Sequence, residues 1–120
     1  MITCPVQNSL KLIGGKWKIS ILYSLRNEPI RFGALRRLHA PITQQMLSKQ
    51  LREMELENLI NRRVFEVIPP KVEYRLTPLG DSLVVALDAL RDWAMDNNAD
   101  VEATIEDYKL REKEEALQNF

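Results

Sequence analysis

The stretch Thr43-Gln44-Gln45-Met46-Leu47-Ser48-Lys49-Gln50-Leu51-Arg52 separates amides, hydroxyls and cations from aliphatic side chains by their spacing. At about 100° per residue, Leu47, Leu51 and Met54 fall on one side of a helix, with Ile42 leading in, while Gln45, Ser48, Lys49 and Arg52 fall on the other. Gln44 and Gln45, in the first turn, suit paired hydrogen bonds to adenine, and Lys49 suits guanine or phosphate. Ser48 and Arg52, further along, suit the nucleic-acid backbone. Plain solvation also produces a polar helix face, so the surrounding elements must discriminate.

Those elements have the grammar of a helix-turn-helix. Phe32 to Leu38 reads as a short helix, and His39-Ala40-Pro41-Ile42 as a tight corner. Pro41 pushes Ala40 out of helical geometry, so the first helix should end by His39, an exposed corner residue on this reading. Thr43 supplies a capping hydroxyl for the second helix, and Asn58 suits the left-handed residue that ends it. Arg36 and Arg37 on the first helix either hold phosphate or are simply solvated.

From Leu59 the period changes to two. Val72-Glu73-Tyr74-Arg75-Leu76 alternates, and Pro69-Pro70 marks a hairpin tip where no ladder donors are needed. Arg62, Arg63, Lys71 and Arg75 decorate this ribbon. A basic two-stranded ribbon directly after a helix-turn-helix is a wing, with Lys71, Arg62 and Arg63 placed for phosphate or the minor groove. At least one of that arginine pair has an alternative, a bridge to Glu66 or Glu73 across the hairpin.

The flanks must hold these parts. Cys4-Pro5 opens a helix with Val6, Leu10 and Ile13 at helical spacing, and Gly14-Gly15 stops it. Lys16 to Leu25 restarts it, with Trp17, Ile21, Leu22 and Leu25 inward. Asn27-Glu28-Pro29 is a turn, and Ile30-Arg31 a small edge strand. Thr77-Pro78 starts a helix whose apolar stripe, including Leu79, Leu83, Leu87, Leu90 and Trp93, is longer than a small core needs. The stripe predicts a partner helix from a second copy, because groove readers commonly pair; the alternative is that it closes the core. Asn97-Asn98 breaks or bends this helix, and an acidic, weaker helix follows with Val101, Ile105 and Tyr108 at helical spacing.

Composition bounds the remaining possibilities. The chain has 120 residues, 45% hydrophobic and 28% charged, which fits one soluble domain with an appended helix. No apolar run reaches membrane-span length and no signal-peptide pattern opens the chain, so it reads as cytoplasmic. One Cys and one His make neither an internal disulfide nor a structural zinc site, and no cofactor motif or catalytic constellation is present; Gly14-Gly15 lacks the context of a phosphate-binding loop. The zero net charge hides a basic front and an acidic rear. Residues 31–75 carry nine basic against five acidic residues, and residues 76–120 four against eleven. Such asymmetry suits docking one surface on a polyanion, although an acidic solubilising tail would also produce it.

Cys4 is the one reactive side chain outside the polar helix. A thiol at a helix N-terminus faces the positive end of the dipole, which favours the thiolate that oxidants and electrophiles attack. The alternative is a small apolar residue packed at the helix start. With no second Cys, any disulfide would be between subunits or with a small thiol.

Taken in order, the chain resembles the HxlR-type winged-helix regulators, a bacterial family. The resemblance is carried by Cys4-Pro5-Val6, Ile13-Gly14-Gly15-Lys16-Trp17-Lys18, Arg31-Phe32, Leu35-Arg36-Arg37, Ile42-Thr43, Met46-Leu47 and Leu51-Arg52-Glu53 with Glu55. It continues through Leu59-Ile60, Arg62, Pro69-Pro70-Lys71-Val72-Glu73-Tyr74, Leu76-Thr77, Gly80 and Trp93. It spans Cys4 to Trp93. Gln7, Phe65, Asn58 and Ala94 depart from the family pattern, the first three in ways that preserve shape.

The resemblance implies a homodimeric transcriptional regulator, not an enzyme, that meets double-stranded DNA at a pseudo-palindromic operator. Some relatives respond to oxidants, quinones or aldehydes through the N-terminal cysteine, so Cys4 is a possible sensor of an effector that the sequence does not identify. A winged helix used only to bind another protein is the alternative. The expected fold is α+β: mainly α with a small antiparallel β wing, and N- and C-terminal dimerisation helices. Residues 1–96 would form the DNA-binding domain, including a dimerisation helix from 78, and residues 97–120 an acidic helical extension.

Overall fold

The computed structural model describes residues 4–119; the outer limits of the two expected domains, residues 1 and 120, fall outside this range. Pro5 has the φ of a first helical residue preset, and helix α1 spans Pro5–Ile13 with Cys4 at its N-cap. Gly15 takes φ +107°, a left-handed bend that strains a residue with a side chain. The next helix therefore starts later than the Lys16 restart that spacing suggests: α2 spans Lys18–Ser24. Ile21, Leu22 and Leu25 are buried as expected, and Trp17 is half-buried.

Strand β1 (Ile30–Arg31) leads into α3 (Phe32–Leu38), and α4 (Gln44–Leu56) follows a corner with a cis Ala40–Pro41 bond. His39 is not the exposed corner residue its polarity suggests. It is 7% exposed, and its Nδ1 lies 2.8 Å from the Leu35 carbonyl oxygen. A carbonyl only accepts, so Nδ1 donates, and the ring adds a second hydrogen bond to a carbonyl that also accepts the His39 amide at 3.1 Å. At the far end of α4, Asn58 adopts φ +60°. The Leu59 amide reaches back to the Met54 carbonyl at 3.0 Å, closing the helix as a left-handed cap does.

β2 (Ile60–Phe65) and β3 (Lys71–Leu76) form the antiparallel hairpin, with Ile60 opposite Leu76 and Phe65 opposite Lys71. β1 pairs with β3 through Ile30 and Tyr74, giving the sheet order β1-β3-β2. Only Ile60 of β2 is buried; the strand is exposed from Asn61 to Val64, so the hairpin projects as a wing.

Thr77 bolts the next helix, α5 (Pro78–Asp96), to the end of α4. Its hydroxyl donates to the Asn58 carbonyl at 2.6 Å and accepts the Gly80 amide at 3.0 Å, while its own amide donates to the Leu59 carbonyl at 3.0 Å. A Cβ at Gly80 would overlap the Leu59 carbonyl oxygen, so only glycine fits that approach.

The chain forms two compact units, dividing after Val84. The first encloses Ile21, Leu22, Leu35, Leu47, Leu51, Met54, Leu59 and Ile60. The second holds the rest of α5 and α6 (Asn98–Gln118), with Asn97 between the helices donating its side-chain amide to the Trp93 carbonyl at 2.8 Å. Along α5, Leu87 is buried, Leu83 and Ala94 are half-buried, and Leu79, Leu90 and Trp93 are exposed. The architecture is the mainly helical winged helix-turn-helix with a small antiparallel sheet that the sequence predicts. Among the described residues no helix is long and apolar enough to cross a membrane, and no cluster of His, Cys, Asp or Glu could hold a metal ion.

Candidate nucleic-acid interface

Three decisions aim the polar side of α4 outward. Ile42, buried, seats the corner; the Thr43 hydroxyl accepts the Met46 amide at 3.1 Å and fixes the first turn; and Leu47, Leu51 and Met54 are enclosed. Truncating one of these three would cost about 2–5 kcal/mol, so the helix has little freedom to turn over. Gln44, Gln45, Ser48, Lys49 and Arg52 are consequently all exposed, as is Thr43. No acid lies in the first turn of α4. Its acids sit at the other end, where they are engaged: Glu53 with Lys18, and Glu55 with Arg62.

Between α4, the start of α3 and the wing lies an open groove of about 440 Å³. Gln44 and Ser48 line it from α4, Arg62 and Lys71 from the hairpin, and Arg31 from β1. On the other side of Gly33, Arg36 and Arg37 share a separate depression of about 470 Å³ with the Ala40–Ile42 corner. The groove thus brings Gln44 and Ser48 together with Arg62 and Lys71, whereas Arg36 and Arg37 line a depression that no α4 residue enters.

The two wing arginines do not act as a pair. Successive strand residues face opposite sides, and the register sets Arg62 opposite Tyr74 but Arg63 opposite Glu73. Arg62 turns to α4, where its Nε is 3.5 Å from Glu55 Oε1, and not to Glu66 or Glu73, the alternative open to one of the pair. The Arg63 guanidinium sits over the Phe65 ring, 4.6 Å from its centroid, on the other face of the ribbon. Burial raises the pKa of the Tyr74 hydroxyl above its usual value; the Glu55 carboxylate adds to this and the Arg62 cation opposes it.

Sequence reasoning missed three participants. Arg31 reads as part of an edge strand and of the family resemblance, and the one signal for its place at the groove is its position after Ile30, which takes the inward position. Glu55 and Lys18 carry no local signal, since their partners come from other elements. Lys18 is 7% exposed and bound between Glu57 and Glu53 at 2.6 and 3.1 Å. Cys4 is exposed in the single chain, at the N-cap of α1.

Residues 12–102 match a family described as HxlR-like helix-turn-helix. The chain is 47% identical over 90 residues to the uncharacterized HTH-type transcriptional regulator YdeP of Bacillus subtilis strain 168, covering 75% of this chain and 70% of that one. It is 46% identical over 90 residues to an uncharacterized HTH-type transcriptional regulator of Methanothermobacter thermautotrophicus, covering 75% and 69%. Among solved structures, the redox regulator HypR in its reduced form superposes with a TM-score of 0.79 at 39% identity, covering 83% of this chain and 99% of that one.

Proposed function

The chain belongs to the HxlR-like helix-turn-helix family of transcriptional regulators, and on that premise we propose that it reads double-stranded DNA as a homodimer. Each copy lays α4 in the major groove of one half of a pseudo-palindromic operator. Gln44, Gln45 and Lys49 address base edges, while Thr43, Ser48 and Arg52 hold backbone. Arg62, Arg63 and Lys71 meet phosphate or the minor groove from the wing, and Arg36 and Arg37 meet phosphate from α3. The second copy docks along α5 through Leu79, Leu83, Leu90 and Trp93, while Leu87, expected among them, is already buried within the chain, and residues 97–120 form an acidic extension outside the DNA-reading domain 1–96. The protein acts in the cytoplasm, as a regulator and not as an enzyme.

One observation carries the reading: α4 buries Leu47, Leu51 and Met54 and leaves its amides and cations exposed beside a groove lined by Arg62 and Lys71. The exposed Cys4 thiol at the N-cap of α1 favours a further element, a response of DNA binding to oxidant or electrophile.

A single experiment tests these elements together. Genomic fragments bound by the protein are selected, then footprinted with reduced and oxidised protein over a range of salt. Two-fold symmetric protection that weakens steeply with salt is expected, because each neutralised phosphate releases counterions. Affinity indifferent to sequence and salt would point instead to a winged helix that binds another protein. A Cys4→Ser variant that still responds to oxidant would remove the sensor role.

A further inference from the structure

An ammonium group sits in the interior of the first unit. Lys18 opens α2, and its three N–H donors meet three acceptors: Glu57 Oε1 at 2.6 Å, Glu53 Oε2 at 3.1 Å and the Leu12 carbonyl oxygen at 3.3 Å. The carboxylates belong to the last turn and C-cap of α4, and the carbonyl to the last turn of α1. Buried ion pairs are often replaceable by apolar groups of similar volume with no loss of stability. What such a cluster adds to apolar packing is direction, because charge-assisted hydrogen bonds constrain angle and distance.

We infer that Lys18 is a positioning residue for DNA reading, fixing the rotation and axial position of α4 by holding its far end against the corner between α1 and α2. The inference rests on the proposed role of α4 in reading DNA. Glu53 and Glu57 are one turn apart on one face, so an ammonium between them resists both rotation and sliding of the helix. Leu47, Leu51 and Met54 hold the helix to the core, but apolar contact is not directional. A rotation of about 10° moves groups about 6 Å from the helix axis by about 1 Å. Hydrogen bonds to base edges tolerate only about 0.5 Å. Aim at Gln44, Gln45 and Lys49 therefore depends on a constraint that packing alone does not provide.

The test compares Lys18→Met, and the double variant Lys18→Met with Glu57→Gln, against the unchanged chain. The probes are a duplex recovered from a random-sequence pool by the unchanged chain and a shuffled duplex of the same composition, at one salt concentration. For folded variants, affinity for the selected duplex is expected to fall about tenfold or more, the size of a lost base contact, while the shuffled duplex changes by less than about twofold. Amide exchange should quicken over residues 52–57 and stay unchanged in α3. Equal losses on both duplexes, or no loss, would overturn the inference, as would failure of both variants to fold. If no duplex is recovered, it is the DNA reading that fails, and the exchange pattern alone judges the cluster: unchanged protection of residues 52–57 overturns it.

Discussion

Glu55 on α4 and Arg62 on β2 stand 3.5 Å apart, Oε1 to Nε, so the helix that carries the polar face and the first strand of the wing are joined by an ion pair. Tyr74 lies opposite Arg62 in the register and senses both charges. The pair is half-exposed, and its worth to stability is about 0–1 kcal/mol. Its effect is on placement: it sets Arg62 beside α4, where the residue lines the groove.

Tyrosine titration reads this arrangement directly. Burial, then Glu55, raises the Tyr74 pKa, and Arg62 lowers it. Glu55→Gln should move the Tyr74 midpoint down and Arg62→Ala should move it up, followed by tyrosinate absorbance. Shifts in the same direction would show that the two side chains do not flank the hydroxyl as described.

Lys49→Ala should weaken binding to a selected operator by about 1–3 kcal/mol at fixed salt. Arg62→Ala should reduce the salt slope by about 1 through loss of one phosphate contact. Arg63→Ala should change the slope less, because its guanidinium stacks on Phe65 across the ribbon. A larger effect at Arg63 than at Arg62 would mean that the other wing face meets the backbone.

Gly80→Ala should destabilise the fold by about 1–3 kcal/mol or more, since its Cβ meets the Leu59 backbone rather than a yielding side chain. Denaturant unfolding measures the change. A shift of only a few tenths of a kcal/mol would show that α5 can slide away from the end of α4.

Alkaline pH should loosen the first unit. Burial works against the Lys18 charge, but hydrogen bonds to Glu57 and Glu53 outweigh it and raise the pKa; Tyr74 is raised as well. With both folded values above the unfolded ones, the folded chain holds more protons on these groups in alkali. Their contribution is complete below about pH 10 and lost as pH rises through the folded values. Stability measured from neutral pH upward should fall along this limb, and Lys18→Met should flatten it. A stability rising into that range would contradict the sign.

Much of the candidate interface is legible in the chain because its causes are local. A 3.6-residue period separates Leu47, Leu51 and Met54 from Ser48, Lys49 and Arg52. Pro41 ends a helix wherever the fold places it, Thr43 and Thr77 cap through their own hydroxyls, and Asn58 tolerates φ +60°. Period two and Pro69-Pro70 locate the wing for the same reason. These rules act within about one helical turn or one strand, so sequence alone determined the helix-turn-helix, its outward face and the hairpin behind it.

Only the tertiary structure decided which charges meet. Lys18 and Glu57 are 39 positions apart, and nothing in their spacing brings them within 2.6 Å. The division of Arg62 from Arg63 depends on a register that a single-residue slip would reverse. His39 looks polar and solvent-bound until α3 ends against the core and its ring finds the Leu35 carbonyl. Backbone periodicity fixes which side of an element a residue occupies. Which element it then touches follows from how the elements close around a shared core, and that is settled only when the whole chain has packed.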